Sequence, residues 1–416
     1  MSHEVGIPGA PDWTAFTPRA VEPRSARKVV EPGPMYDDII RPLRPFTGVQ
    51  LRDLPDARPS VELLPRRGDV DQAKAITAAA QDVLADLTPE QRRRVTHEID
   101  AVEWQQWINS HPNILRHGLI LEDLTQAQRD RVLALMQASL SDTGFAQARD
   151  IMRINGLLTE LTGRADEFGE WPYFFSLFGT PGLDEPWGWQ LDGHHLDLNV
   201  VVVDGHLVTT PTFMGSEPCA IRTGALAGTE VLRAEHEAGL RFMRSLDPEA
   251  ATAATVRTSL LTADLPPDLL HPISGRTVAG PFGDNIALSS DGLRASELAP
   301  AQRTLLLELI STYLGWSPES TTSVRRSLCA EYLDETTFLW MGQVSDAGPF
   351  YYRVLSPAVL IEFDHHAGTV FDNPEPTPNH IHTMVRTPLK GDYGVDLIQR
   401  HYERFDHSRG GHRPWA

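Results

Sequence analysis

The chain has 416 residues, 41% of them hydrophobic and 22% charged, which suits a folded protein with a sizeable core. A formal net charge of −19, spread along the chain, disfavours nonspecific binding to nucleic acid or to an anionic membrane. Two distant cysteines, Cys219 and Cys329, exclude a dense disulfide framework. With no apolar run of about 18 residues and no basic-then-apolar leader, the expectation is a cytoplasmic protein that engages no nucleic acid and no membrane.

Residues 1–68 are proline-rich and without sustained periodicity. They read as an arm that docks in extended form, with Ile39, Ile40, Leu43 and Phe46 finding grooves. Residues 69–416 read as one large domain, in which 69–165 offers a helical sub-domain. "QAKAITAAAQDVLADL" is a strong helix former. "LTPEQRRRV" supplies Thr88, Pro89 and Gln91 as N-cap, first helical residue and capping-box partner, and "LTQAQRDRV" repeats the pattern with Thr125 and Gln128. A third copy, "LAPAQRTLL", has Ala299 where the cap belongs. Three copies at unequal spacing do not make a solenoid and read as one solution to starting a helix. Further helices are expected at 125–141, 145–161 and 223–246.

Beyond these, "LDLNVVVVDGHLVTTPTF" predicts a hairpin turning at Asp204-Gly205. "GPFYYRVLSPAVLIEFD" predicts two extended runs broken at Pro357, and "HIHTMVRT" one more strand. "DYGVDLIQRHYERF" closes the chain as a helix. The pattern predicts an α+β fold, a helical N-terminal half packed against a mainly antiparallel β-sheet with a C-terminal helix.

The chemistry concentrates on the strand segments. In "DGHHLDLN", an extended backbone puts His195, Asp197 and Asn199 on one face and His194, Leu196 and Leu198 on the other, although a bulge at Gly193 would bring both histidines into one pocket. In "IEFDHH", Glu362 lies within an apolar run, where a bare carboxylate is costly unless paired, protonated or bound to a cation. In "NHIHTMVRT", His380 and His382 point to one side, the geometry with which a strand presents two imidazoles to a metal ion, and Arg386 shares that face. The metal set is therefore His195, His380 and His382, with His194 and Glu362 as further ligand candidates, and the cofactor is a divalent ion, zinc or iron. Asp197 or Asp364 would orient an imidazole. One of Trp187 and Trp189 is expected beside the histidine face as an aromatic wall. His97, His111 and His117 read as surface residues, and no HExxH, CxxC, P-loop, GxSxG or dinucleotide fingerprint occurs.

"GLILEDLTQAQR", "GFAQARDIM", "PWGWQLDGHHLDLNVVVVDG", "TPTFMGSEP", "PFYYRVLSPAVLIEFD" and "NHIHTMVRTPLKGDYGVDLIQRHY" together resemble the bacterial and fungal domain of unknown function 3500 family. The resemblance implies that His194, His195, Asn199, Tyr351, Tyr352, Arg353, Glu362, His380, His382, Arg386 and Asp392 belong to the family's pattern, and it implies no agreed reaction. His365 and His366 depart from that pattern and are poor ligand candidates. The functional expectation is a metal-dependent hydrolase of a small or medium, anionic organic substrate: the metal activates water, Glu362 or Asp197 moves the proton, and Arg353 or Arg386 holds the substrate. The alternatives are a non-haem iron or copper oxygenase or oxidase on the same ligands, and a noncatalytic small-molecule binding protein; a homo-oligomer is compatible with each.

Overall fold

The computed structural model describes residues 46–110, 117–266, 269, 275–368, 370–371, 373–406 and 413–414. Helices begin where the sequence offers a cap. The Asp69 carboxylate accepts from the Asp71 and Gln72 N–H groups at the head of α1 (Val70–Asp86). Thr88 and Thr125 form complete capping boxes for α2 (Pro89–Val95) and α3 (Gln126–Ser139). Ser141 caps α4 (Asp142–Thr162), which ends on left-handed Gly163. After α5 (Arg233–Arg244) and α6 (Pro248–Ala254) comes α7 (Pro300–Leu314). There Ala299 has no side-chain acceptor and only half a capping box forms, the Ala299 N–H donating to Gln302 Oε1 at 3.0 Å. Helices α8 (Glu319–Glu331) and α9 (Val395–Arg404) complete the set among the described residues. The helix expected at 223–246 lacks its first ten residues: Ala220 bridges Glu230 across a turn in which Gly224 and Gly228 take positive φ, and helix begins only at Arg233.

Eight strands carry the sheet: β1 (Tyr173–Gly179), β2 (Trp187–Gly193), β3 (Leu196–Val203), β4 (Thr212–Ser216), β5 (Thr337–Gly342), β6 (Phe350–Leu355), β7 (Leu360–Ala367) and β8 (Pro376–Arg386). They run in the order β5-β6-β7-β8-β4-β3-β2-β1, and every pair in that series is antiparallel. The fold is α+β, with α9 as its C-terminal helix.

Residues paired across an antiparallel ladder share a face. One face carries Phe175, Trp189, Leu198, Met214, Val385, Phe363 and Tyr352 and packs with Ile76, Val132, Ile151 and Leu309 of the helices in one hydrophobic cluster. Residues 70–162 thus share their core with the sheet. The other face carries buried polar side chains, from Gln190 and Asp192 through Asp197, Asn199, His380 and His382 to Glu362, Asp364 and Arg353. Loops cover it: Trp107 packs on Phe213 and Met384, and Trp104 and Tyr393 pack on Phe178 and Val201.

The two halves of the sheet repeat one unit. Leu119–Ile120 flanks β1 ahead of α3 and α4, as Leu293–Arg294 flanks β5 ahead of α7 and α8. The sequence "GLILEDLTQAQR" recurs as "GLRASELAPAQR". Ser176, Gln190 and Asn199 stand side by side in β1, β2 and β3 as Leu339, Arg353 and Glu362 do in β5, β6 and β7. Gly179 and Gly342 occupy matching ends of β1 and β5 with φ of 70° and 97°, each with a proline carbonyl, Pro186 or Pro349, where a Cβ would go. The second and third copies of the helix-start sequence are therefore equivalent parts of two units, which meet at the β4–β8 ladder.

Of the arm, Phe46 packs edge-on against Tyr393 and Gln50–Leu51 pairs in parallel with Ala287–Leu288, on the polar face's covering. Ile39, Ile40, Leu43 and His111 lie outside the described residues. Cys219 and Cys329 are both buried and unlinked. Among the described residues no helix is long and apolar enough to cross a membrane.

Candidate metal centre

Asp192 pairs with Asp197 and Gly193 with Leu196, so His194 and His195 are the two-residue tip of the β2–β3 hairpin. They are not extended strand, and alternation does not separate them. His195 takes φ 62°, a left-handed conformation uncommon for a non-glycine residue. It is held there from both sides: its N–H donates to the Asn109 carbonyl at 3.1 Å, and its carbonyl accepts from Gly215 N–H at 2.8 Å. The two imidazoles stack, with ring centres 3.9 Å apart.

This tip projects over β8. His195 Nε2 lies 3.1 Å from His380 Nε2, which lies 2.9 Å from His382 Nε2, and all three side chains are buried. Two nitrogens bound to one zinc at a tetrahedral angle would stand about 3.3 Å apart, given bond lengths of about 2.0–2.1 Å. Gly215, directly across from His382, leaves room for its ring. His380 Nδ1 donates to the Ala367 carbonyl at 2.8 Å, and Glu217 Oε2 stands 3.4 Å from the same nitrogen. Because a carbonyl oxygen can only accept, the neutral His380 ring must carry its proton on Nδ1, and its Nε2 lone pair faces the other two imidazoles.

Around the triad the polar face is densely titratable. His366 stacks on His382 at 4.5 Å and meets His380 edge-on at 5.0 Å, with its Nδ1 3.6 Å from Asp364 Oδ2. Asp364 in turn accepts from Arg276 Nε at 2.6 Å. Burial, reinforced by the neighbouring imidazoles, holds His382 well below the ordinary histidine range, so its ring is a neutral donor. His382 Nδ1 is buried without a hydrogen-bond partner among the described residues.

Other expected site residues lie elsewhere or are engaged. His194 turns its Nδ1 to Asn155 Oδ1 at 2.7 Å and backs the His195 ring, so it supports the triad and does not join it. Glu362 shares the face but is no ligand: its carboxylate accepts from the Val278 and Ala279 N–H groups at 2.9 and 2.8 Å and from the Tyr351 hydroxyl at 2.6 Å. Arg353, its ladder neighbour, donates to the Ser289 carbonyl. Arg386 spends its donors on Ala279 O, Gly280 O, Asp284 and Asp392, fully buried, and holds a loop where an anionic substrate was expected. Asp197 orients no imidazole. It faces Asp192 across the hairpin stem with neither oxygen in a geometrically sound hydrogen bond among the described residues, and burial, followed by the neighbouring Asp192 carboxyl, pushes it well above the usual carboxylate range, while burial raises Asp192 to about 6. Trp187 and Trp189 both point into the helix-side core, and Gly188 and Gln190 occupy the histidine face in their place. His117 is not a surface residue: it bridges Ser176 Oγ and Gln106 O at 2.8 and 3.0 Å.

Sequence reasoning missed Glu217, Asn155, Arg276 and the approach of His366. Glu217 had a faint signal, an acid between small residues and Pro218. Asn155 and Arg276 had none, since each reaches the face from a distant helix or loop.

A family model described as "Protein of unknown function (DUF3500)" matches residues 69–395, which is most of the chain. No curated protein and no solved structure matches.

Proposed function

We propose that this chain, which belongs to the DUF3500 family of proteins of unknown function, holds a divalent metal ion, zinc first, on His195, His380 and His382 and serves as a metal-dependent hydrolase of a small organic substrate. One observation carries the reading: the three buried Nε2 atoms converge, and the Ala367 carbonyl fixes the lone pair of the central one toward the other two. Three neutral imidazoles with no protein carboxylate are the donor set of a catalytic zinc that keeps its fourth position for water or substrate. Such an ion supplies a Lewis acid and a water acidified toward neutral pH. Glu217 would steady the His380 ring, and His366 with Asp364 stands beside the ligands as the nearest proton-accepting pair.

Arg353 and Arg386, the side chains expected to hold an anionic substrate, are committed elsewhere. An iron centre of two histidines and one carboxylate loses its support with Glu362. An all-imidazole set also suits copper, and an oxidase or oxygenase is the second reading.

The test is elemental analysis of protein purified without added metal, repeated on His382→Ala, with ester and amide hydrolysis and oxygen uptake assayed in parallel. Expected are one zinc per chain, its loss in the variant, and hydrolysis that disappears with it. No ion even after supplementation would end the proposal, and copper with oxygen uptake would move it to the second reading.

A further inference from the structure

The duplicated unit indicates where a second site would lie. His195 sits at the β2–β3 tip, and its counterpart at the β6–β7 tip is Ala358. Leu198 faces Thr212 across β3 and β4 as Ile361 faces Val385 across β7 and β8. Further along the same strands the register slips by one residue: Val201 faces Val208 as Asp364 faces His382, so the counterpart of His382 is Val208 and that of His380, two residues earlier, is His206. These three counterparts also meet. Ala358, Val208 and His206 all border one cavity of about 390 Å³, within the size range of small-molecule sites.

Of the imidazoles this copy keeps one, His206, whose Nε2 turns to the Pro65 carbonyl at 3.0 Å, and a different charged group has entered. Arg325 borders the cavity from α8, at the place that Ala148 fills in α4. Its guanidinium makes a single hydrogen bond among the described residues, Nη2 to Thr387 Oγ1 at 3.1 Å. The nearby Asp392 is already bound by Arg386 and by the Thr387 N–H. Burial pushes the Arg325 guanidinium below its usual value. A guanidinium offers five donors, and this half-buried one leaves most of its fork open to a ligand in the cavity. The head of α8 adds to the positive end: Pro318 provides no side-chain cap, and Ser320 and Thr321 of the first turn border the same space.

We propose that this cavity binds a small organic monocarboxylate, its carboxylate on Arg325 and its apolar tail against Leu207, Val324, Leu328 and Leu397. A planar carboxylate matches the guanidinium fork. A single charge is favoured over a phosphate dianion because Asp69 and Asp396 also border the cavity. The site is independent of the metal centre.

Sodium hexanoate titrated calorimetrically into the full chain tests this, with hexan-1-ol and inorganic phosphate as comparisons. Saturable one-site binding is expected, weakened at least about tenfold by Arg325→Met and by Ala358→Phe, which fills the cavity while keeping the arginine. His382→Ala, which empties the metal centre, should leave hexanoate affinity within about twofold. No saturation by about 10 mM hexanoate, hexanol binding as tightly, phosphate binding more tightly, or unchanged affinity in Ala358→Phe would each overturn the assignment. If Arg325→Met fails to fold, Ala358→Phe decides alone.

Discussion

Arg386→Met removes a cation that sits between two carboxylates inside the protein. In the wild type, Arg386 Nη1 meets both Asp284 and Asp392, at 2.9 Å for the latter, while Nε and Nη2 donate to the Ala279 and Gly280 carbonyls at 2.6 and 3.1 Å. Methionine fills similar space and returns none of these bonds. Asp392 would keep only the Thr387 N–H, at 2.7 Å, in a fully buried position. Breaking one side of a buried ion pair costs about 3–5 kcal/mol, chiefly through the charge left behind. Asp392 limits the loss by taking a proton. Burial already pushes it up to about 6 against the pull of Arg386, and without that cation it moves higher. The deficit in urea unfolding should therefore be largest above pH 7 and shrink toward pH 5.5, and adding Asp392→Asn should recover part of it at pH 7.5. A variant within about 1 kcal/mol of wild type at pH 7.5 would refute the reasoning and return Arg386 to the role of substrate clamp.

Three further outcomes follow from the same geometry. Gly215→Ala puts a Cβ 2.8 Å from the Ile381 carbonyl and 3.0 Å from His382 Cδ2, so the ring must shift; zinc affinity by chelator competition should fall about 10–100-fold, and an unchanged affinity would count against the triad. His117 and His236 are held at about 4, each mainly by burial, against 6.5 when exposed. Their folded pKa values are depressed, so the unfolded chain takes protons first: stability is full above about pH 7 and falls as pH drops from 6.5 toward 4, by about 2 kcal/mol for each histidine at pH 5, and a flat urea midpoint over that window would contradict it. Asp197→Asn removes a carboxyl whose folded pKa is raised, a group whose contribution is present below the unfolded value and lost as pH rises through the folded one. The variant should melt higher than wild type at pH 8, and a lower melting point would show that the Asp192–Asp197 pair is not repulsive.

Helix starts were legible because their signals are local: Thr88 and Thr125 form the boxes that their sequences announce. His380 and His382 were legible for the same kind of reason, since a strand's alternation is fixed by two residues. For His195 strand alternation is the wrong guide: it is a turn tip, and its ring reaches β8 through a left-handed backbone held by Asn109 and Gly215. Glu362 and Arg386 misled because a charged residue in an apolar run looks the same whether its partner is a ligand or another part of the chain. Their partners, Val278, Ala279 and Asp284, lie about a hundred residues away on covering loops, where no sequence pattern points back to the strand.

The repeat was hidden for a related reason, and it bears on the chemistry. What the two units share is what the backbone demands. Gly118 and Gly292, with φ of 76° and 98°, sit with the Phe175 and Phe338 carbonyls where a Cβ would go, and Gly179 and Gly342 do the same with Pro186 and Pro349. What differs is the polar face. A Gln190–Asn199 hydrogen bond of 2.6 Å in one unit stands where the other has Arg353 and Glu362, and His195, His382 and His380 stand opposite Ala358, Val208 and His206. Each hairpin tip leans over the central ladder, so each unit completes the site of the other: His195 comes from the first, His380 and His382 from the second. A fold built this way has two equivalent positions for a ligand. Because only steric demands tie the copies together, one can keep a cluster of three imidazoles while the other carries a cavity with an arginine on its wall.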